Sequence, residues 1–209
     1  MRLKLALMIA AAMLAGAPAA IVAQTPRPTA GRPTAAMVEA GSYVVESHHT
    51  LVEFSVDHFG FSTFFGVIPN ATGTMTLDPR ALGATRLDIS LPVAGISTTN
   101  AKLDGELTSA DWFDAAKYPT IRFVSDKVIR TGPETAQIHG QITLHGVTKP
   151  LVLSAHFHGA GSNPMSKAYT VGFDATGELN RSDFGVSKYV PVVSDTVHLK
   201  ISAAFEKAK

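Results

Sequence analysis

From Leu51 to Phe205 the chain alternates apolar and polar residues one by one, in segment after segment, and this period of two constrains the fold more than any other feature. Between Tyr169 and Leu179 the odd positions are Tyr169, Val171, Phe173, Ala175, Gly177 and Leu179, while Thr170, Asp174, Thr176 and Glu178 fall on even ones. Ala136, Ile138, Gly140, Ile142 and Leu144 repeat the pattern, as do Val197, Leu199, Ile201, Ala203 and Phe205. Successive side chains of a strand point to opposite faces, so each set belongs on one buried face of a sheet. No helix would bury these sets together.

Alternation between turn signals gives eight candidate strands, near 51–57, 70–78, 85–93, 120–129, 135–144, 149–158, 168–179 and 195–206. His145-Gly146-Val147-Thr148 separates the fifth from the sixth, and Gly146 supplies the backbone freedom of a tight hairpin. Eight strands in mostly sequential order predict an all-β fold, an eight-stranded antiparallel barrel whose closure removes exposed edges and whose interior can hold a small ligand. A two-sheet sandwich is the competing architecture.

Two segments interrupt this meander. Asn100 to Asp111 is rich in helix formers, which predicts a short helix laying Leu103 and Leu107 over one opening of the barrel, followed by Trp112 and Phe113. Phe59-Gly60-Phe61-Ser62-Thr63-Phe64-Phe65-Gly66 packs phenylalanines into what reads as a connection, and these rings are expected to plug or line the same cavity.

At the amino terminus Arg2 and Lys4 lead into an apolar run from Leu5 to Ala15, broken by Gly16 and Pro18, with Ile21-Val22-Ala23 before Gln24. This is the build of a cleaved secretory signal peptide over 1–23, and a spanning helix would need about 20 unbroken apolar residues. Residues 24–40, with Pro26, Pro28 and Pro33 among small and polar neighbours, read as a disordered linker. The barrel domain then occupies 41–209. Cysteine is absent, which excludes disulfides, thiolate metal sites and cysteine nucleophiles. Export without cysteine points to a periplasmic location. A formal net charge of +1 offers nucleic acid no bulk attraction.

Eight histidines raise the question of a metal. His156 and His158 share a strand face, but parity puts that face outside, and no further ligand is fixed by spacing, so no metal is assigned. His58 instead continues the inward series Val52, Phe54, Val56, where its ring would reach either a ligand head group or a loop carbonyl. Arg181 extends the inward series of the preceding strand by one step, and its fork of donors suits a phosphate or carboxylate, or else an ion pair with Asp183 or Asp104. Hydrolase, metalloprotease, phosphate-loop and dinucleotide signatures are missing, and nothing requires Asp104, Glu106 and His145 to act as an acid/base set. No catalytic residue or cofactor is assigned.

Seven segments in order resemble the YceI-like, polyisoprenoid-binding family. They are Glu46-Ser47-His48-His49-Thr50; Val52-Glu53-Phe54-Ser55-Val56-Asp57-His58-Phe59-Gly60; Ile96-Ser97-Thr98-Thr99-Asn100; Trp112-Phe113-Asp114; Tyr118-Pro119-Thr120-Ile121-Arg122-Phe123; Gly140 through Lys149; and Asn180-Arg181-Ser182-Asp183-Phe184-Gly185. Where members often open the helix with an Arg-Asp pair, this chain has Lys102-Leu103-Asp104. The resemblance implies a lipocalin-like barrel that encloses an isoprenoid or similar long-chain amphiphilic lipid, in an exported bacterial protein, sometimes as a homodimer. On that reading Phe54, Val56, Leu91, Phe123, Ile142, Leu153 and Phe173 hold the tail, while His58, Phe61, Phe113, Arg181 and Phe184 guard the mouth. A metalloprotein or an enzyme acting on a bound lipid, and a solid-core structural barrel, are the competing functions.

Overall fold

The computed structural model describes residues 34–209. The signal peptide expected over 1–23, and 24–33 of the expected linker, lie outside the described residues. Ten strands run through the rest: β1 (Gly41–Val45), β2 (Leu51–His58), β3 (Ser62–Ile68), β4 (Thr72–Leu77), β5 (Arg86–Pro92), β6 (Thr120–Arg130), β7 (Thr135–Leu144), β8 (Val147–Ser162), β9 (Tyr169–Asn180) and β10 (Thr196–Lys207). One helix, α1 (Ala101–Thr108), follows β5.

The ten strands make eight staves. β10 pairs with β1 near its carboxyl end (Val45 opposite Phe205) and with β2 near its amino end (Leu51 opposite Ser202). β1 and β2 are therefore one interrupted stave, split where the Glu46 carboxylate accepts the His48 and His49 backbone N–H groups at 3.2 and 2.9 Å and winds a short turn. β3 pairs with β2 and β4 with β1, so they form a second interrupted stave. Its break falls at Pro69, which has no N–H for the ladder, and Asn70, which adopts a left-handed φ of 61°. Every neighbouring pair is antiparallel, and the β1–β10 pairing closes the ring, which excludes the sandwich.

Three expectations are corrected by this arrangement. β1 was not among the candidate strands. The phenylalanine-rich segment, expected to be a connection whose rings plug or line the cavity, is the β2–β3 hairpin, with Phe59 and Phe61 exposed at its turn and Phe65 on the outer face of β3. Only Phe64 of the four faces inward. The linker expected to stay disordered through residue 40 is structured from Thr34: Ala35–Met37 form a 3-10 turn and Val38 is buried.

Other readings hold. Leu144 pairs with Val147 across a two-residue turn in which His145 and Gly146 both have positive φ, 51° and 75°, the geometry a tight hairpin requires. In β8 Leu151, Leu153, Ala155 and Phe157 are buried while their even-numbered neighbours are exposed. Inside, the core divides into two clusters, one around Trp112, Phe123 and Leu153 and the other around Tyr43, Phe157 and Phe205.

Candidate functional site

The barrel is hollow. An upper chamber of about 340 Å³ lies under α1, and a lower one of about 180 Å³ lies toward the β6–β7 hairpin. Val52, Leu91, Leu153 and Ile201 line both, so the chambers meet at a waist made of four inward side chains from four staves. The walls are dominated by aliphatic and aromatic groups because the inward parity of every stave is apolar.

The roof over the upper chamber is assembled locally. Asn100 caps α1 by accepting the Lys102 and Leu103 N–H groups at 3.1 and 3.4 Å. An eight-residue helix has little intrinsic stability, so its anchoring is tertiary. Leu103 and Leu107, one turn apart, face the chamber together with Trp112 and Phe113. Asp104 accepts the Thr98 hydroxyl at 2.7 Å and its N–H at 2.6 Å, which fastens the helix to the segment entering it and holds the Asp104 carboxyl below the usual carboxylate range. That entering segment is itself tied to β3, with Val67 and Ser97 exchanging backbone hydrogen bonds of 2.8 and 2.9 Å.

Polar groups enter the upper chamber at its mouth through His58, Glu106, Arg181 and Tyr189. Arg181 is only 4% exposed, and neither expected carboxylate meets it. Its Nε donates to the Ser194 carbonyl at 2.9 Å, Nη1 to those of Val186 and Lys188 at 2.9 and 2.8 Å, and Nη2 to that of Val193 at 2.9 Å. Four of its five N–H donors thus clamp the 186–194 loop. Burial pulls its pKa down and the charge of Asp195 opposes this, while the guanidinium lies 5.8 Å from the Trp112 ring centre. The ion-pair expectation is therefore corrected: Asp183 is exposed, Asp104 serves Thr98, and Asp195 accepts the Ser182 hydroxyl and N–H at 2.6 and 2.8 Å. Lys188 sits between Glu106 and Asp111 at 3.8 and 3.4 Å, and Glu106 also accepts the Trp112 indole N–H at 3.2 Å. The His58 ring packs edge-on against Phe59, 4.3 Å between centres.

Of the residues expected to touch a ligand, Phe54, Val56, His58, Phe113, Ile142 and Arg181 line the upper chamber, Phe123 and Phe173 the lower, and Leu91 and Leu153 the waist. Phe61 is 90% exposed at a hairpin turn, away from both chambers. Phe184, 2% exposed, packs into the upper core without lining either chamber; its carbonyl bonds the His145 ring Nδ1 at 2.9 Å. Sequence reasoning missed Tyr189 and Val193, which lie in a loop without periodicity, and Ala35 and Val38, hidden in a Pro-rich context. Phe157 and Phe205 in the lower chamber were findable from strand parity alone. The outward histidines meet carboxylates, His156 with Glu134 at 3.7 Å and His158 with Asp174 at 2.9 Å, and no group of three metal-ligating side chains occurs among the described residues.

Known proteins share this architecture. A "UPF0312 protein" from Pseudomonas savastanoi pv. phaseolicola is 39% identical over 171 residues, spanning 81% of this chain and 88% of that one. Among solved structures, a YCEI protein from Campylobacter jejuni aligns with a TM-score of 0.65 at 27% identity over 73% of this chain and 90% of its own. BcnA from Burkholderia cenocepacia aligns with a TM-score of 0.69 at 21% identity, covering 77% and 98% of the two chains. A polyisoprenoid binding domain from Saccharophagus degradans shares the fold at 10% identity, with a TM-score of 0.60 over 81% of this chain and all of that one. The YceI-like domain matches residues 43–205, from the first stave of the closed barrel to the last, and the chain belongs to that family.

Proposed function

We propose that this protein is a non-catalytic carrier that encloses one isoprenoid-type amphiphile, such as a polyprenyl phosphate or a quinone. The observation that carries this reading is the two-chambered apolar interior, whose upper mouth gathers His58, Glu106, Arg181 and Tyr189. Each methylene moved from water into such walls contributes about 0.8 kcal/mol, so a long tail binds without a specific polar contact. His58, Glu106 and Tyr189 then select the head group, and Arg181 holds the loop that presents Tyr189. The polyisoprenoid binding domain of Saccharophagus degradans supports the ligand class by likeness of fold. Export to the periplasm belongs to the same proposal, because a carrier of water-insoluble lipid is useful between membranes; the leader-like pattern over 1–23 supports it, and mass analysis of the mature amino terminus tests it.

Trp112 is the chain's single tryptophan and lines the upper chamber, so it reports on occupancy directly. Adding an isoprenoid quinone to lipid-stripped protein is expected to quench its fluorescence saturably at one equivalent. An unsaturable or absent response would remove the carrier reading.

A further inference from the structure

The lower chamber is closed by an element outside the ring of staves. Residues 34–40 cross the end of the barrel where β1 begins and where β4, β6, β8 and β10 finish. Ala35 and Val38 line the chamber from this segment, and Val38, 5% exposed, packs into the lower core with Tyr43 and Phe157. Glu39 stakes the segment to three staves: its N–H donates to the Tyr169 hydroxyl at 3.4 Å, its carbonyl accepts the Tyr43 hydroxyl, and its carboxylate meets Lys207 Nζ at 2.5 Å. Burial, with the neighbouring Tyr169 and Glu39, pushes the Tyr43 pKa up to about 12, so that hydroxyl remains a donor throughout the physiological range.

We infer that this amino-terminal strap is the floor against which the far end of the ligand tail comes to rest, and that Val38 and Ala35 set the longest tail the barrel accepts. The inference rests on the carrier reading above, which orients the ligand with its head at the upper mouth. The lower chamber gives that orientation independent support. Its Arg130 guanidinium is engaged by the Pro79 and Pro133 carbonyls at 3.1 and 3.4 Å, its half-exposed Glu134 carboxylate meets the outward His156 at 3.7 Å, and Thr85 Oγ1 is its one buried side-chain polar atom without a partner among the described residues. A tail end suits such walls and a charged head does not. A short tail stops above the strap and is indifferent to it, whereas a long one has to press on Val38 and Ala35 or displace them.

The test is a length series. Farnesol, geranylgeraniol and solanesol are bound to the lipid-stripped full-length protein and to a Val38→Trp variant, and affinity is measured for each. The variant is expected to bind solanesol about tenfold more weakly, the loss of about two buried methylenes, and farnesol as before. Ala35→Trp, at a half-buried position, repeats the test should Val38→Trp fail to fold, and Glu39→Ala, which frees the strap, is expected to shift preference toward solanesol. Equal changes for all prenols, or none, in a folded variant would overturn the floor while leaving the carrier intact. Failure of the unmodified protein to bind any prenol would overturn both.

Discussion

At the scale of single residues, Arg181 carries the largest structural burden. A lysine has three donors on one point and cannot reach four carbonyls that surround a planar fork. Arg181→Lys is expected to cost about 3 kcal/mol in urea unfolding, because buried carbonyls lose charge-assisted partners; an unchanged midpoint would mean the loop is held otherwise. Gly66 is constrained by contact with no room for a side chain. It faces Phe54 across the β2–β3 ladder, and a Cβ there would occupy the space of the Phe54 ring. Gly66→Ala is expected to lower stability by about 1–3 kcal/mol and to weaken ligand binding, as Phe54 swings into the upper chamber. The inward parity of Arg181 is legible in the sequence, whereas Gly66 lies in a segment that reads as a connection. The partners of Arg181 are not, because a buried cation satisfied by main-chain carbonyls leaves no complementary acidic residue to find.

At the scale of elements, legibility followed periodicity. β6 to β10 are ten or more residues long and alternate over most of that length, broken by bulges between Ser125 and Lys127 and between Phe157 and Gly159, so most of their inner faces could be read directly. β1 has only five residues, and β3 places Phe64 inside and Phe65 outside, so composition suggested a plug where pairing makes an exposed hairpin. The roof and the loop clamped by Arg181 lack strand periodicity, and an aspartate helps to fasten each. Thr98 hydrogen bonds hold the Asp104 carboxyl low, and the Ser182 hydroxyl does the same for Asp195. A depressed folded pKa means that the unfolded chain binds protons more readily, so this stabilisation is complete above the unfolded value of about 3.9 and is lost as pH falls through the folded values. The urea midpoint is therefore expected to hold steady from neutrality down to about pH 5 and to fall below pH 4, with part of that fall missing in Asp195→Asn. A midpoint independent of pH across that window would show that neither aspartate fastens its element.

At the scale of the whole molecule, lipid carriage requires an interior that is empty of protein and hydrocarbon-like. Two residues expected to contact the ligand, one placed inside the barrel and one outside it, allow a paired test. Phe173 lines the lower chamber between Phe157 and Phe205, and Phe61 stands in solvent. Phe173→Asp is expected to abolish lipid retention, and Phe61→Asp to leave it unaltered; comparable loss in both would contradict the placement of the site inside the barrel. Hollowness could not be read from the sequence, because strand parity fixes which residues face inward but not whether they meet across the axis. Native mass spectrometry of the protein, released from its own cells without harsh detergent, tests the central claim most directly. The expected spectrum shows the mass of the polypeptide plus one isoprenoid-type amphiphile per barrel, released on collisional activation. A spectrum of bare polypeptide, obtained under conditions that preserve a known lipid complex, would contradict it.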